Sequence, residues 1–303
     1  MAVAASRIER ANANQGRRAK LVMRAAVGIE TPSGKGAGDE NFPVGSWLLP
    51  RPLRPHVATY YAFARAIDDI ADNPHLAPED KIARLDGFAL ALTMGSADPA
   101  YAKAAALRRT LKQTGISDRH GLDLISAFKQ DAVKNRTADW NDLIDYCLRS
   151  AAPVGRFLCD LHGEDKALYP LSDALCNALQ VINHLQDCAK DYAELDRVYL
   201  PDDWMRTANA TIEDLTRSAS TPGLRSVLDQ CLDGTEKLLV EAQRLPKAMR
   251  HKSLAAETAV IVAVADALTQ KLRRQDPVAM RVALSPVGFA AAAVAGVARL
   301  WLT

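Results

Sequence analysis

Apolar positions recur at intervals of three and four through most of the chain, and no stretch alternates apolar and polar residues as a half-buried strand would. The pattern predicts helices nearly everywhere. Pro50, Pro52 and Pro55 precede a long helical run through Asp72, which Asn73 and Pro74 end. Further helices are expected over 78–94, 99–114, 118–135, 139–162, 166–193, 222–246 and 253–275. The polar gap at 194–222, with Pro201 and Pro222, is expected to be a loop and not a domain boundary, and no internal repeat is evident. The plan is all-α and single-domain.

Inside these helices two polar stripes stand out. The first is Arg65, Asp68, Asp69 and Asp72, and the second is Gln180, Asn183, Asp187 and Asp191. Residues three and four apart share a helix face, and carboxylates four apart lie about 6 Å apart along the axis. Magnesium takes oxygen ligands, keeps some waters and is commonly held by one or two carboxylates together with substrate phosphates. Two such stripes facing each other would make a magnesium and diphosphate site, with Asp68, Asp72, Asn183, Asp187 and Asp191 as candidate ligands. Gln180 would orient, and Arg65 would meet phosphate oxygens through its planar fork. One D-x-x-x-D alone reads better as a solvated helix face; two, with amides at matching offsets, reverse that.

At 303 residues and 49% hydrophobic content the chain can bury a large core. Net charge is only +2, so nucleic acid is not an expected partner, although Arg7, Arg10, Arg17, Arg18, Lys20 and Arg24 concentrate charge near the start. That leader, residues 1–27, reads as an extension, with contact to anionic lipid as the functional alternative. Residues 31–40 read as a loop. Five scattered cysteines without a C-x-x-C pair suggest reduced thiols in a cytoplasmic protein. The six histidines show no metal-ligand spacing, and His184 reads as structural. The run from Val287 to Leu302 is apolar but shorter than the roughly 20 residues of a spanning helix. It would either pack on the core or touch the inner face of a membrane peripherally. In 146–157, Ala151, Ala152 and Gly155 would admit a close neighbour, and Tyr146 would place a hydroxyl at the cavity edge. Arg197 and Tyr199 would close over a diphosphate from the loop, or else Arg197 would pair at the surface with Asp196 or Glu194.

The segments YAFARAIDDIAD, YCLRSAAPVG and LQVINHLQDCAKDYAELDRVYLP, in this order, resemble the squalene and phytoene synthase family across about residues 28–280. Tyr61, Arg65, Asp68, Asp69 and Asp72 match the family's first motif. Gln180, Asn183, Asp187 and Asp191, followed by Arg197 and Tyr199, match the second, and Tyr146 falls on its active-site tyrosine. The resemblance implies an isoprenoid-synthase-type helical bundle whose acidic helices line one end of a central apolar cavity. It implies Mg2+ as cofactor and prenyl diphosphates as substrates. Residues 281–303 would form an apolar C-terminal helix beyond the catalytic domain.

Within the family, SGKGAGDENFPVGSWLLP and NHLQDCAKDY are most similar to the hopanoid-pathway branch that ionises presqualene diphosphate and lets water capture the carbocation. Magnesium and Arg65 would neutralise the leaving diphosphate, and Tyr146 would orient the water or the leaving group. Condensing relatives usually carry Arg and Glu where this chain has Gln186 and Lys190. That change would make the second stripe less negative and suit it to one diphosphate. Asn41-Phe42-Pro43 replaces their usual Ser-Phe-Ser. Gly34, Gly36 and Gly38 lack the strand and helix of a dinucleotide fingerprint. Condensation of two prenyl diphosphates and a catalytically silent lipid-binding scaffold are the other open readings. Handover of the poorly soluble substrate from a presqualene diphosphate synthase is an expected partnership.

Overall fold

The computed structural model describes residues 29–30 and 49–302. The basic leader, the loop at 31–40 with its glycines, and Asn41-Phe42-Pro43 lie outside the described residues. The first helix, α1 (Arg54–Ala71), carries Pro55 in its opening turn, where a missing N–H is no loss. Val57, Tyr60, Phe63, Ile67 and Ile70 bury one face of α1, which leaves the first acidic stripe on the adjacent face. Helices α2 (Pro78–Thr93), α3 (Ala102–Thr114) and α4 (Arg119–Asp131) pack around α1 and one another.

The sequence predicts one helix over 139–162, but two form, α5 (Trp140–Ser150) and α6 (Ala152–Leu161). Pro153, in the first turn of α6, has no N–H to continue the α5 ladder, and the backbone turns at Ala151 (φ −125°). The 27-residue α7 (Tyr169–Leu195), about 40 Å long, packs against α5 and α6 and ends where Asp196 turns left-handed at φ 51°. Gly155 of α6 meets α7 so closely that a Cβ there would lie 2.3 Å from Ser172 Oγ. The small residues of this stretch therefore serve a helix contact.

The polar gap is not plain loop. It holds β2 (Val198–Pro201), α8 (Asp202–Thr207) and a short 3-10 turn at Ile212–Thr216, closed by reciprocal Thr211 and Asp214 capping bonds. β2 pairs in parallel with β1 (Arg136–Thr137), Arg136 opposite Val198. A two-residue strand is too short for any alternation to register in sequence, which is why no strand was expected. The fold closes with α9 (Pro222–Ala242), α10 (Leu245–Ala248), α11 (Lys252–Arg274) and α12 (Pro286–Leu302). All five cysteines are free, and four of them are buried.

Helix α11 is long and apolar enough to cross a membrane, yet most of that stretch is buried inside the protein. It packs against α7, α9 and α12. Gly296 lets α12 lie against the α11 backbone: a Cβ there would sit 2.4 Å from the Ala259 carbonyl oxygen. The opposite face of α12 leaves Val287, Val294, Trp301 and Leu302 exposed. The C-terminal run thus packs with one face and exposes an apolar one. Just before it, the Gln186 amide donates to the Val282 carbonyl (2.6 Å), buried away from solvent. Through this bond Gln186 ties the helix turn before Asp187 to the C-terminal segment. Lys190 is exposed, 4.0 Å from Glu194.

Two substitutions test these contacts. Gly296→Ala is expected to weaken α12 docking by about 1–3 kcal/mol, read as faster hydrogen exchange in 286–302. Gln186→Arg buries a cation in place of the amide and should cost about 3 kcal/mol of stability, read as a lower denaturant midpoint.

Candidate active site

The polar stripe of α1 and that of α7 flank a cavity of about 350 Å³. Tyr61, Arg65 and Asp68 from α1 and Gln180 and Asn183 from α7 line its polar end. The remainder is mostly apolar, with Phe157, Leu158, Leu175, Leu245, Met249, Leu254 and Ile261 among its walls. An apolar pocket with convergent polar groups at one end is the usual form of a small-molecule site.

The charges at the polar end are crowded. Arg65 pairs with Asp68 and, at 2.9 Å, with Asp69. Asp69 is buried beneath that pair, so it holds Arg65 in place. Burial, and next the Asp72 carboxylate, push Asp68 well above the ordinary carboxylate range, against the pull of Arg65. Asp191 is pushed up to about 7 by burial, then by Asp187 and by Asp72. That Asp191 of α7 feels Asp72 of α1 places the two stripes in one field.

Arg197 and Tyr199 do not lie in an open loop. Arg197 is buried immediately before β2 and pairs with Asp72 (2.8 Å), and its guanidinium also donates to the main-chain oxygens of Ala71 and Asp131. The alternative of a surface pair with Asp196 or Glu194 is not realised, because Arg197 is buried against Asp72 and Asp196 pairs with Arg136. Tyr146 donates its hydroxyl to Asp131 Oδ2 (2.6 Å) and lies 3.3 Å from the Tyr199 hydroxyl, which donates to Asp131 Oδ1 (3.1 Å). Burial raises Asp131 to about 6, opposed by Arg197 and by these hydrogen bonds. His184 stacks on Tyr199 with ring centroids 3.6 Å apart, and burial, then Arg197, hold it down to about 3, so it is neutral. Its ring nitrogen lies 3.3 Å from the Gln180 amide.

Sequence reading missed Asp131 and Lys81. Lys81 donates to the Ala71 carbonyl (2.7 Å) and is lowered by burial and then by Arg197. Neither residue belongs to a repeated spacing. Asp131 falls inside the helix expected over 118–135, and nothing in the sequence sets it apart there.

Among the described residues no three of His, Cys, Asp and Glu converge to hold an ion by themselves. Magnesium does not need that, since it is commonly held by one or two carboxylates plus substrate phosphate and water. The donor set fits. Asp68, Asp72, Asp187 and Asp191 supply hard oxygens, and burial with mutual repulsion leaves Asp68 and Asp191 reluctant to ionise without added positive charge.

Residues 36–287 match the family described as squalene/phytoene synthase. The chain is 44% identical over 253 residues to a hydroxysqualene synthase of Zymomonas mobilis, covering 82% of this chain and 84% of that protein. It is 43% identical over 261 residues to a hydroxysqualene synthase of Rhodopseudomonas palustris, covering 86% and 88%. Its fold is similar to the crystal structure of a squalene synthase from Alicyclobacillus acidocaldarius, with a TM-score of 0.68 and 34% identity over 77% of this chain and 87% of the other. With its acidic helices, its apolar cavity and these relatives in agreement, the chain belongs to the squalene/phytoene synthase family.

Proposed function

We propose that this chain carries out the hydroxysqualene synthase reaction: it ionises presqualene diphosphate and lets water capture the rearranged carbocation. The observation that carries the reading is a mostly apolar cavity whose polar end is lined by Arg65 and Asp68 of one motif helix and Gln180 and Asn183 of the other. The similarity to hydroxysqualene synthases over more than four-fifths of the chain supports the choice of substrate.

In this reading Asp68, Asp72, Asn183, Asp187 and Asp191 would hold Mg2+, which would supply the positive charge that a leaving diphosphate needs. Arg65 is fixed by Asp69 and meets phosphate oxygens with its fork. Arg197 and Tyr199, tied to Asp72 and Asp131, hold the end of α1 in register with α7. Tyr146 orients the leaving group through the same cluster. The apolar walls keep bulk water from the cation. The exposed face of α12 supports a peripheral contact with the inner face of a membrane, where the surface-active substrate would be received from a presqualene diphosphate synthase. Condensation of farnesyl diphosphate is the competing reading, favoured by the activity named for the Alicyclobacillus structure.

Incubation of the purified chain with Mg2+ and presqualene diphosphate, without nicotinamide, is expected to give a C30 alcohol by mass spectrometry. Turnover of farnesyl diphosphate alone would favour condensation instead. Asp187→Ala, which removes one proposed ligand, should lower turnover by about 10²–10³-fold.

The raised carboxylates give a pH signature. Asp191, at about 7 when folded against 3.8 ordinarily, binds its proton more tightly in the folded state. It therefore makes the metal-free protein lose stability as pH rises from 4 through 7. His184, lowered to about 3, acts in the opposite sense between 3 and 6.5. The comparison to make is the gain in melting temperature on adding Mg2+. That gain should be larger at pH 8 than at pH 5.5, because the metal requires ionised ligands.

A further inference from the structure

Beside the acidic end stands a half-buried ammonium to which neither polar stripe gives a partner. Lys81 closes the first turn of α2, where its N–H bonds to the Ala77 carbonyl. That is the end of a helix at which the backbone dipole disfavours a positive side chain. Its Nζ donates to the Ala71 carbonyl at 2.7 Å. Arg197 Nη2 donates to the same oxygen at 3.4 Å, so two cationic groups converge on one atom. Among the described residues no carboxylate pairs with Lys81.

Helix capping accounts for only part of this arrangement. A carbonyl at the end of α1 favours a cation, but Arg197 already serves that oxygen. One hydrogen bond also occupies only one of the three N–H groups of an ammonium. Burial, and then Arg197, pull Lys81 below the ordinary lysine value, and Asp72 and Asp131 do not make up the difference. A cation held half out of water next to another cation is unfavourable unless an anion joins it. The place is specific as well. Ala71 directly precedes Asp72 and follows Asp68 by three positions, so the ammonium sits on the helix turn that presents both carboxylates. The Arg197 guanidinium is divided among Asp72 and the carbonyls of Ala71 and Asp131. Lys81 keeps two N–H groups to give.

We propose that the Lys81 ammonium binds the outer phosphate of the leaving diphosphate, as a binding residue that α2 supplies to the site. The assignment rests on the diphosphate reading above and adds to it a residue that lies in neither polar stripe. An ammonium is a compact point charge with rotatable donors. Nζ can therefore keep its bond to Ala71 and give its other two N–H groups to phosphate oxygens. The charge that gathers on the diphosphate as its bond to carbon breaks then meets a donor already in place. Arg65 answers from the cavity side, where it lines the polar end. The half-buried cation and the incoming anion complete each other, which accounts for a lysine at a position where neither its own helix nor its neighbours favour one.

The test titrates the full chain with inorganic pyrophosphate at fixed Mg2+, by calorimetry, in the unmodified protein, Lys81→Gln and Lys81→Met. The two variants separate charge from capping. Lys81→Gln keeps an N–H donor for the Ala71 carbonyl and removes the charge, whereas Lys81→Met removes both. Each is expected to weaken pyrophosphate binding about 10–100-fold, the worth of a hydrogen bond to a charged group. Unchanged affinity in Lys81→Gln overturns the assignment, even if Lys81→Met loses affinity, because that leaves Lys81 a helix cap. A second measurement needs no variant to fold. Amine acetylation of the unmodified protein, read by mass spectrometry, is expected to lose its Lys81 product when Mg2+ and pyrophosphate are present, while the exposed Lys247 is still modified. Acetylation of Lys81 at the same rate with and without pyrophosphate overturns the assignment. Failure of the unmodified protein to bind pyrophosphate is a separate result, and it overturns the diphosphate reading along with this one.

Discussion

One buried cation makes the acidic end of this protein buildable. Arg197 reaches Asp72 at the end of α1 and the main chain at the end of α4, from the two-residue link between α7 and β2. Without its charge, Asp72, Asp131 and Asp191 would share a poorly solvated region with only the partly exposed Lys81 and the exposed Lys190 to offset their repulsion. The short β1–β2 pairing is best understood through this residue. Val198 donates to the Asn135 carbonyl, which fixes the strand next to Arg197 and so fixes where the guanidinium enters.

From that anchor the site divides its work between two helix faces. Each acidic helix uses one face for the core and the next for carboxylates, so the position of every metal-side oxygen follows from hydrophobic packing a few ångströms away. Asp69 shows the principle well. Its carboxylate is buried and takes no place among the proposed ligands, but it fixes the direction of Arg65. The cluster of Asp131, Tyr146, Tyr199 and His184 plays the same part on the other side. It carries hydrogen bonds and a stacked, neutral imidazole, and it adds no second positive charge to compete with a metal.

How much of this could be read in the chain depended on whether a residue's partners lie on its own helix. Arg65, Asp68, Asp72, Gln180, Asn183, Asp187 and Asp191 were legible because a periodic spacing exposes a shared face. Asp131 and Lys81 belong to no such spacing, and what makes them matter is burial by other helices and proximity to Arg197. The break at Ala151 was readable in principle from Pro153, but the apolar periodicity runs straight through it. Gln186 was singled out only as a departure from condensing relatives, and the three-dimensional position of Val282 reveals its allegiance to the C-terminal segment.

That allegiance has a mechanical meaning. The hook from Gln186 to Val282 and the seat of Gly296 on Ala259 place the carboxy-terminal segment in series with the turn of α7 that bears Asp187. The tail is thereby coupled to the charged mouth by a lever outside the cavity. Whatever covers the exposed face of α12 is thus only two contacts, the Gly296 seat and the Gln186 bond, away from the helix turn that bears Asp187.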